Sequence, residues 1–268
     1  MPNTEVEVAA PRVYVVTGAG SGIGRATAAQ LADQGHRVIG VDLKNAEVTA
    51  DLSTEEGLAA MVEEVSGLTD VVDGVVANAG TSLQAPLDVA INFFGAVGTV
   101  EGLLPLLARS SDPRVCITAS AASLHPAHDD LVAAMLAGDR ETAARLGEEL
   151  VAAGAGAGYL NYSSSKQAVA RWARTNAPTE RFAGAGIALN AVAPGVVVTP
   201  MTEELFATEE GRRQMTQNMP SPLNGPARAE DIAAAICFLT STAAGKVTGQ
   251  VLFVDSGYDA LTRGDSSW

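Results

Sequence analysis

A single α/β domain with a doubly wound parallel sheet of about seven strands is the fold class that this sequence predicts, and three observations predict it. Short strand-like runs rich in Val and Ile recur along the chain, mostly separated by helical patterns, and this alternation specifies a parallel sheet with helices on both faces. A length of 268 residues and an evenly spread hydrophobic content of 47% suit one large core and require no second domain. The first strand also runs directly into a glycine-rich turn and then a helix, the context that an anion-binding turn needs.

Taken in order, residues 12–17 (RVYVVT) read as a short buried strand. Gly18-Ala-Gly-Ser-Gly22-Ile-Gly24 follows, and residues 25–34 have helical character. Gly18 permits a tight turn, Gly22 lets the backbone approach a pyrophosphate, and Gly24 allows helix and strand to pack closely, while free N–H groups at the helix start favour an anion. The second strand, residues 37–42, ends in Asp42, about twenty positions past the glycines, where a carboxylate can accept both ribose hydroxyls of an adenosine. It would repel a 2′-phosphate, so NAD is expected over NADP; nearby Lys44 softens that preference without reversing it. A short piece near Val48 adds a strand, and further strands are expected at residues 71–77, 114–118, 187–192 and 251–254. Ligands of such sheets sit beyond the carboxyl ends of the strands, where Gly18, Asp42, Asn78, Ser120 and Pro194 fall.

Composition narrows the function classes. A formal charge of −14 argues against nucleic acid and anionic membrane surfaces as partners. The longest apolar stretches look strand-length, and Met1 to Ala10 lack a basic region, so neither a membrane span nor a signal peptide is expected, and the cytoplasm is the expected location. Cys116 and Cys237 sit in apolar segments as buried free thiols. His36, His125 and His128 lack partners at useful spacing, so no metal site is expected.

Tyr162-Ser-Ser-Ser-Lys166 puts a phenol and an ammonium on one helical face. A lysine so placed favours the phenolate and lowers a pKa that starts near ~10 in model peptides. That suits proton transfer to and from an alcohol or carbonyl; a pair of surface residues on an amphipathic helix is the plain alternative. Thr17-Gly-x-x-x-Gly22-Ile-Gly24, Asn78-Ala79-Gly80, Tyr162-x-x-x-Lys166 and Pro194-Gly195-x-x-x-Thr199 stand in order along one chain. Together they resemble the short-chain dehydrogenase/reductase family over residues 12–257.

The resemblance implies one NAD-binding Rossmann domain over residues 1–268 and a division of labour at its site. Tyr162 would protonate the carbonyl oxygen in reduction or deprotonate the alcohol in oxidation, and Lys166 would depress the Tyr pKa and hold the nicotinamide ribose hydroxyls. Thr118, Ser120 and Ser123 all offer a hydroxyl to the reacting oxygen. Ser120 is preferred because it lies just past the strand end, which leaves turn or cap chemistry to the others. Asn92 corresponds to the family's Asn that supports a bound water beside the lysine, with a solvated mid-helix Asn as the alternative. The gap from Gly80 to Asn92 is shorter than is usual in the family, so residues 81–88 should form a short loop. Asp51-Leu52 resembles the partner of the adenine amino group, with a helix N-terminal acid as the alternative. Asn78-Ala79-Gly80 would stabilise the sheet and line the adenosine ribose, and Thr199, after Pro194-Gly195, would bind the nicotinamide carboxamide. Ser21, Ile23, Leu43 and Val197 complete the cofactor-binding set that the resemblance implies. Residues 201–219 would form a mobile lid lined by Glu203, Leu205, Phe206 and Met215.

Between Ser120 and Tyr162 lie 41 residues, several times the family's usual spacing. The extra segment, residues 126–156, reads as two helices, one starting at Asp129-Asp130 and one capped by Asp139, with Ala143, Leu146 and Leu150 on one stripe opposite Glu141, Arg145, Glu148 and Glu149. It serves either as a new subunit interface, in a homodimer rather than the family's common homotetramer, or as a hairpin packed on its own domain. This arrangement resembles the bacterial 3α-hydroxysteroid dehydrogenase/carbonyl reductases. An NAD(H)-dependent oxidoreductase for a secondary alcohol or ketone, such as a 3-hydroxysteroid, is the expectation. A coniferyl-type alcohol dehydrogenase, a sugar-nucleotide epimerase or dehydratase, and a non-catalytic NAD-binding regulatory protein are the alternatives.

Overall fold

The computed structural model describes residues 10–266, without the side chains of Glu204 and Leu205; most of the acidic start read above, residues 1–9, lies outside the described residues. Seven parallel strands form one sheet: β1 (Val13–Thr17), β2 (Arg37–Asp42), β3 (Val48–Thr49), β4 (Gly74–Ala77), β5 (Arg114–Thr118), β6 (Ala188–Pro194) and β9 (Val251–Val254). Their order is β3-β2-β1-β4-β5-β6-β9, so the winding reverses between β1 and β4. A crevice opens at that reversal, outside the carboxyl ends of the strands.

The period-two alternation of strand side chains divides the core between the two faces. Tyr14 and Val16 of β1 point one way, with Val76 and Cys116, against Leu31 of helix α1 (Gly22–Asp33) and Ile232 and Ile236 of α10 (Ala229–Thr240). Val15, Val75, Val115 and Ile117 point the other way, against Met61 of α2 (Glu55–Leu68), Leu103 of α4 (Ala96–Leu107) and Val169 and Trp172 of α7 (Tyr159–Asn176). Cys116 and Cys237 are both buried free thiols.

Several boundaries differ from expectation for local reasons. The strand expected at residues 71–77 begins at Gly74, because the Val72 amide donates to the Leu106 carbonyl at the end of α4 instead of joining the ladder. Ile187 likewise donates to Phe182, and β6 starts one residue later. A small parallel pair not anticipated from the sequence, β7 (Val197–Val198) with β8 (Ala227–Arg228), ties the segment after β6 to the start of α10. The expectation that apolar stretches are only strand-length is also corrected. Helix α3 (Pro86–Val89), a π turn (Ala90–Gly95) and α4 run as one helix of 22 residues, apolar and long enough to cross a membrane. Most of its apolar window is buried within the protein, and it packs on β4, β5 and α2 as the central core helix.

The insertion folds as two helices, α5 (Asp129–Leu136) and α6 (Arg140–Ala152). His128 caps the first through Nδ1, accepting from Leu131 N, and Asp139 caps the second by accepting from Thr142 N at 3.0 Å. Leu131, Val132, Met135, Ala143 and Leu150 are buried in the main core cluster, while Glu141, Arg145, Glu148 and Glu149 are exposed. The apolar stripe is therefore packed within its own domain, against α3 and α7. The return at residues 154–156 has three successive positive φ angles, at Gly154, Ala155 and Gly156.

Residues 201–219 hold α8 (Glu203–Ala207) and α9 (Glu209–Asn218), and α11 (Tyr258–Arg263) is the last helix among the described residues.

Candidate active site

At the strand ends lies a cleft of about 300 Å³. The turn after β1 forms its floor through Gly18, Ser21, Gly22 and Ile23. Gly18 and Gly22 have φ of 71° and 52°, left-handed values that suit glycine. Gly24 lines nothing; a Cβ there would lie 2.1 Å from the Gly18 carbonyl oxygen, so its role is to let α1 close onto the turn. Ser21, the N-cap of α1, makes no side-chain cap bond, and the first turn carries no acid. The leading N–H groups of the helix thus face the cleft with a partial positive charge and no internal acceptor, which fits an anionic diphosphate.

One end of the cleft is formed by Asp42 and Leu43 after β2 and by Asp51 and Leu52 after β3. Asp42 Oδ2 accepts from Gly20 N (3.0 Å) and Oδ1 from Leu43 N (2.7 Å). A carboxylate has about four acceptor sites, so roughly two stay open. Asp51 Oδ1 accepts from the Ser53 amide and hydroxyl, which holds its carboxyl below the usual range. Asp51 does not cap α2; Thr54 does, accepting from Gly57 N.

Asn78 joins three strand ends. Its amide N–H donates to the Thr17 hydroxyl, Nδ2 donates to the Thr17 carbonyl, and Oδ1 accepts from Thr118 Oγ1 at 3.1 Å. Ala79 and Gly80 follow along the wall. Of the three candidate residues, Thr118 and Ser120 line the cleft and Ser123 does not; the Thr118 hydroxyl donates to Asn78. Ser120 also caps the short 3-10 turn Ala121–Leu124, accepting from Ala122 N, so the cap chemistry assigned to its neighbours belongs to Ser120.

Tyr162 and Lys166 sit on α7 at the other end of the cleft, with Lys166 Nζ 5.8 Å from the Tyr162 ring centroid. The expected electrostatics are corrected here. Burial pushes Tyr162 above its ordinary pKa, the Ser120 hydroxyl partly offsets that rise, and the charge of Asp88 adds to it. Burial also pulls Lys166 down to about 8, against an opposing effect of Asp88. The lysine donates to the Thr118 carbonyl (3.0 Å), and desolvation outweighs its proximity to the phenol.

Asn92 is buried in the π turn and does not line the cleft. Its Oδ1 accepts from Thr81 N (2.8 Å), and Nδ2 donates to Thr81 O and Ser165 Oγ. Both ends of its side-chain amide are thus bonded to the Thr81 backbone and α7, and the residue is buried, unlike the solvated mid-helix Asn of the alternative. Sequence reasoning also missed Thr81, Ile91 and Thr202, which line the cleft, and Asp88 behind it. The Pro86-Leu-Asp88 order, proline first and an acid at the third helical position, was a readable helix start.

The far wall holds Pro194, Gly195, Val197 and Thr199, then Pro200 and Met201. Gly22 faces Thr199, whose side chain would lie 3.6 Å from a Cβ at that glycine. Of the expected lid residues, Glu203, Phe206 and Met215 do not line the cleft, and the side chain of Leu205 lies outside the described residues. Helix α9 buries none of its residues and packs beside α8. Among the described residues no group of His, Cys, Asp and Glu is arranged to hold a metal.

The chain matches known proteins along nearly its whole length. Residues 18–259 match a family model described as enoyl-(acyl carrier protein) reductase. The 3-alpha-hydroxysteroid dehydrogenase/carbonyl reductase of Comamonas testosteroni is 34% identical, covering 94% of this chain and 98% of that protein. The cis-4-hydroxycyclohexanecarboxylate dehydrogenase of Sinomonas cyclohexanicum is also 34% identical, over 95% of this chain and 99% of its own. Among solved structures, the 3-alpha-hydroxysteroid dehydrogenase from Pseudomonas sp. B-0831 complexed with NADH superimposes with a TM-score of 0.86 at 38% identity, covering 94% of this chain and 99% of that one.

Proposed function

The chain belongs to the short-chain dehydrogenase/reductase family of oxidoreductases, and from that premise we propose that it interconverts a secondary alcohol and a ketone with NAD(H). We take the substrate to be a 3-hydroxysteroid or another bulky apolar carbonyl compound. One observation carries the reading: Ser120, Tyr162 and Lys166 meet at one end of a cleft whose floor is the glycine turn and whose other end is Asp42.

When bound, the nicotinamide supplies or accepts a hydride. The Tyr162 hydroxyl gives its proton to the substrate carbonyl oxygen in reduction and removes the alcohol proton in oxidation. Burial keeps the phenol protonated at neutral pH. It is then ready to donate, and oxidation gains from alkaline conditions, where the phenolate forms. Ser120 Oγ holds the same substrate oxygen. Lys166, with its proton affinity near 8, carries a charge at neutral pH and binds the ribose hydroxyls next to the reacting ring. Thr199 fixes the carboxamide, with Pro194, Gly195 and Val197 shaping the wall behind it. Asn92 holds Thr81 in place and so supports the Lys166 side of the site.

At the adenosine end, the open acceptor sites of Asp42 would hold the ribose hydroxyls and Asp51 the adenine amino group, with Leu43 and Leu52 supplying the apolar lining beside them. Asn78, Ala79 and Gly80 line the ribose. The choice of NAD rests on Asp42 and on the cations lining the cleft: among the described residues Lys166 is the one, and it lies at the opposite end. The steroid reading is supported by the activities named for the relatives from Comamonas and Pseudomonas. Exposed Met201 and Pro200 offer apolar surface on the far wall.

The test is NAD-dependent oxidation across 3α- and 3β-hydroxysteroids, coniferyl alcohol and simple secondary alcohols, in wild type and Tyr162→Phe. We expect steroid turnover in wild type and a loss of kcat of about 10²–10⁴-fold in the variant, with NADH binding kept. Full turnover without the phenol would refute the mechanism, and turnover confined to coniferyl alcohol would refute the substrate class.

A further inference from the structure

Burying a carboxylate is costly unless hydrogen bonds compensate it. Asp88 is 0% exposed, and the loop ahead of α3 is folded around it. Thr81 Oγ1 donates to its Oδ1 at 2.8 Å, Leu83 N to Oδ1 at 2.9 Å, Gln84 N to Oδ2 at 2.8 Å, and Ala85 N to Oδ2 at 3.3 Å. Gln84 has φ of 58°, a left-handed value that costs an L-residue about 1–2 kcal/mol, so the loop holds its shape through the carboxylate. A helix cap at the surface needs neither this number of donors nor this dryness.

The contacts continue from the loop to the site. Asn92 grips Thr81 and donates to Ser165 Oγ on α7, and a Cβ built on Gly80 would lie 2.7 Å from Asn92 Oδ1 and 3.4 Å from Lys166 Nζ. Charged and titratable groups on the elements packed against α3 are few. The π turn (AINFFG) has none. On α7 they are Tyr162 and Lys166 with Tyr159 nearby, while Arg171 and Arg174 are exposed further along. On α6, Arg140 stacks on Phe94 at 4.5 Å and pairs with Glu55, and Glu141, Arg145, Glu148 and Glu149 face solvent.

We propose that Asp88 is a positioning residue for the catalytic pair: its dry carboxylate pins residues 80–85 against Lys166 and fixes one negative charge behind Lys166 and Tyr162. The inference rests on the roles given above to those two residues. The charge raises the proton affinity of both groups, opposing desolvation at Lys166 and adding to it at Tyr162. Removing it must move both titrations to lower pH.

Two variants separate charge from placement. Asp88→Asn removes the charge at nearly constant volume, and Asp88→Glu keeps the charge while displacing the carboxylate. The first readout is the ultraviolet phenolate titration of Tyr162, taken as the difference from a Tyr162→Phe background, which needs neither substrate nor cofactor. The second is kcat against pH for alcohol oxidation. In Asp88→Asn we expect the phenolate titration and the acid limb of kcat to fall by about one pH unit. In Asp88→Glu we expect an unmoved titration and a kcat several-fold lower. An unshifted titration in Asp88→Asn would overturn the charge role, and wild-type kcat in Asp88→Glu would overturn the positioning role even if Asp88→Asn fails to fold. A shifted titration in a protein that oxidises none of the alcohols would support Asp88 and overturn the proposed reaction instead.

Discussion

Gly24→Ala separates the architecture of the cofactor turn from its chemistry, because Gly24 lies behind the cleft and touches no reacting group. The new Cβ would lie 2.1 Å from the Gly18 carbonyl oxygen, 2.6 Å from its carbonyl carbon and 2.7 Å from Asn78 Nδ2. Two of these obstacles are backbone, and the third is an amide already bonded to Thr17. Helix α1 must therefore back away from the turn by nearly an ångström. Overpacking of this kind costs about 1–3 kcal/mol, offset by roughly 1 kcal/mol that Ala gains over Gly in a helix. The net loss of up to about 2 kcal/mol should lower Tm by up to about 8 °C for a chain of this size. Loss of one charge-assisted hydrogen bond from the displaced helix start should weaken NADH binding by about 10–100-fold. Gly67→Ala is the control, since nothing lies within 4 Å of its added Cβ on α2, and the swap there should be neutral or stabilising. Thermal unfolding by circular dichroism and NADH titration by fluorescence read both quantities. Wild-type Tm and affinity in Gly24→Ala would refute the packing argument.

Three further outcomes follow from the structure. Asp42→Ala should cut the NAD over NADP ratio of kcat/KM by about tenfold or more, measured with one substrate and both cofactors; an unchanged ratio means that Asp42 does not touch the ribose. Lys166 has a folded pKa of about 8, below its ordinary 10.5, so the unfolded chain binds more protons in that window and stability rises with pH across it. Relative to Lys166→Met, wild type should gain about 2–3 kcal/mol between about pH 8 and pH 10 in urea unfolding, and a flat difference would show that the ammonium is not desolvated. Leu131→Ala should cost about 2–5 kcal/mol, since Leu131 is fully buried in the common core; a negligible loss would mean that the helical insertion is only loosely attached.

Local signals in the sequence were enough for the parallel sheet. Arg114–Thr118 and Val251–Val254 have the expected ends, because each is a short, largely apolar run bounded by loop residues. The glycine turn, Asp42 and the Tyr162/Lys166 spacing were legible because their chemistry depends on short distances along the chain. What sequence could not show depends on distant partners. The start of β4 was set by a carbonyl on α4, and the Thr118 hydroxyl was engaged by the side chain of Asn78. The sign of the Tyr162 shift was misjudged because charge proximity is visible in a sequence and desolvation is not. The apolar length of helix Pro86–Leu107 escaped notice because the π turn breaks its periodicity, and Asp88 because an acid near a helix start usually faces water.

The π turn at Ala90–Gly95 has a consequence for how this helix tolerates length changes. Each residue of an α-helix advances about 100° around its axis, and a π turn accommodates one extra residue, so it offsets the azimuth of everything downstream. Upstream of the offset the phase aims Asp88 into its loop; downstream it aims Val100, Leu103 and Leu107 at the sheet. A uniform helix through both segments satisfies one aim and misses the other. Loss of a single codon within this stretch would yield a more regular helix and a poorer protein, with either the carboxylate or the apolar stripe rotated out of phase. The loop ahead of Pro86 gives no such freedom either, since residues 81–85 wrap the Asp88 carboxylate and a change of length there would unpair it.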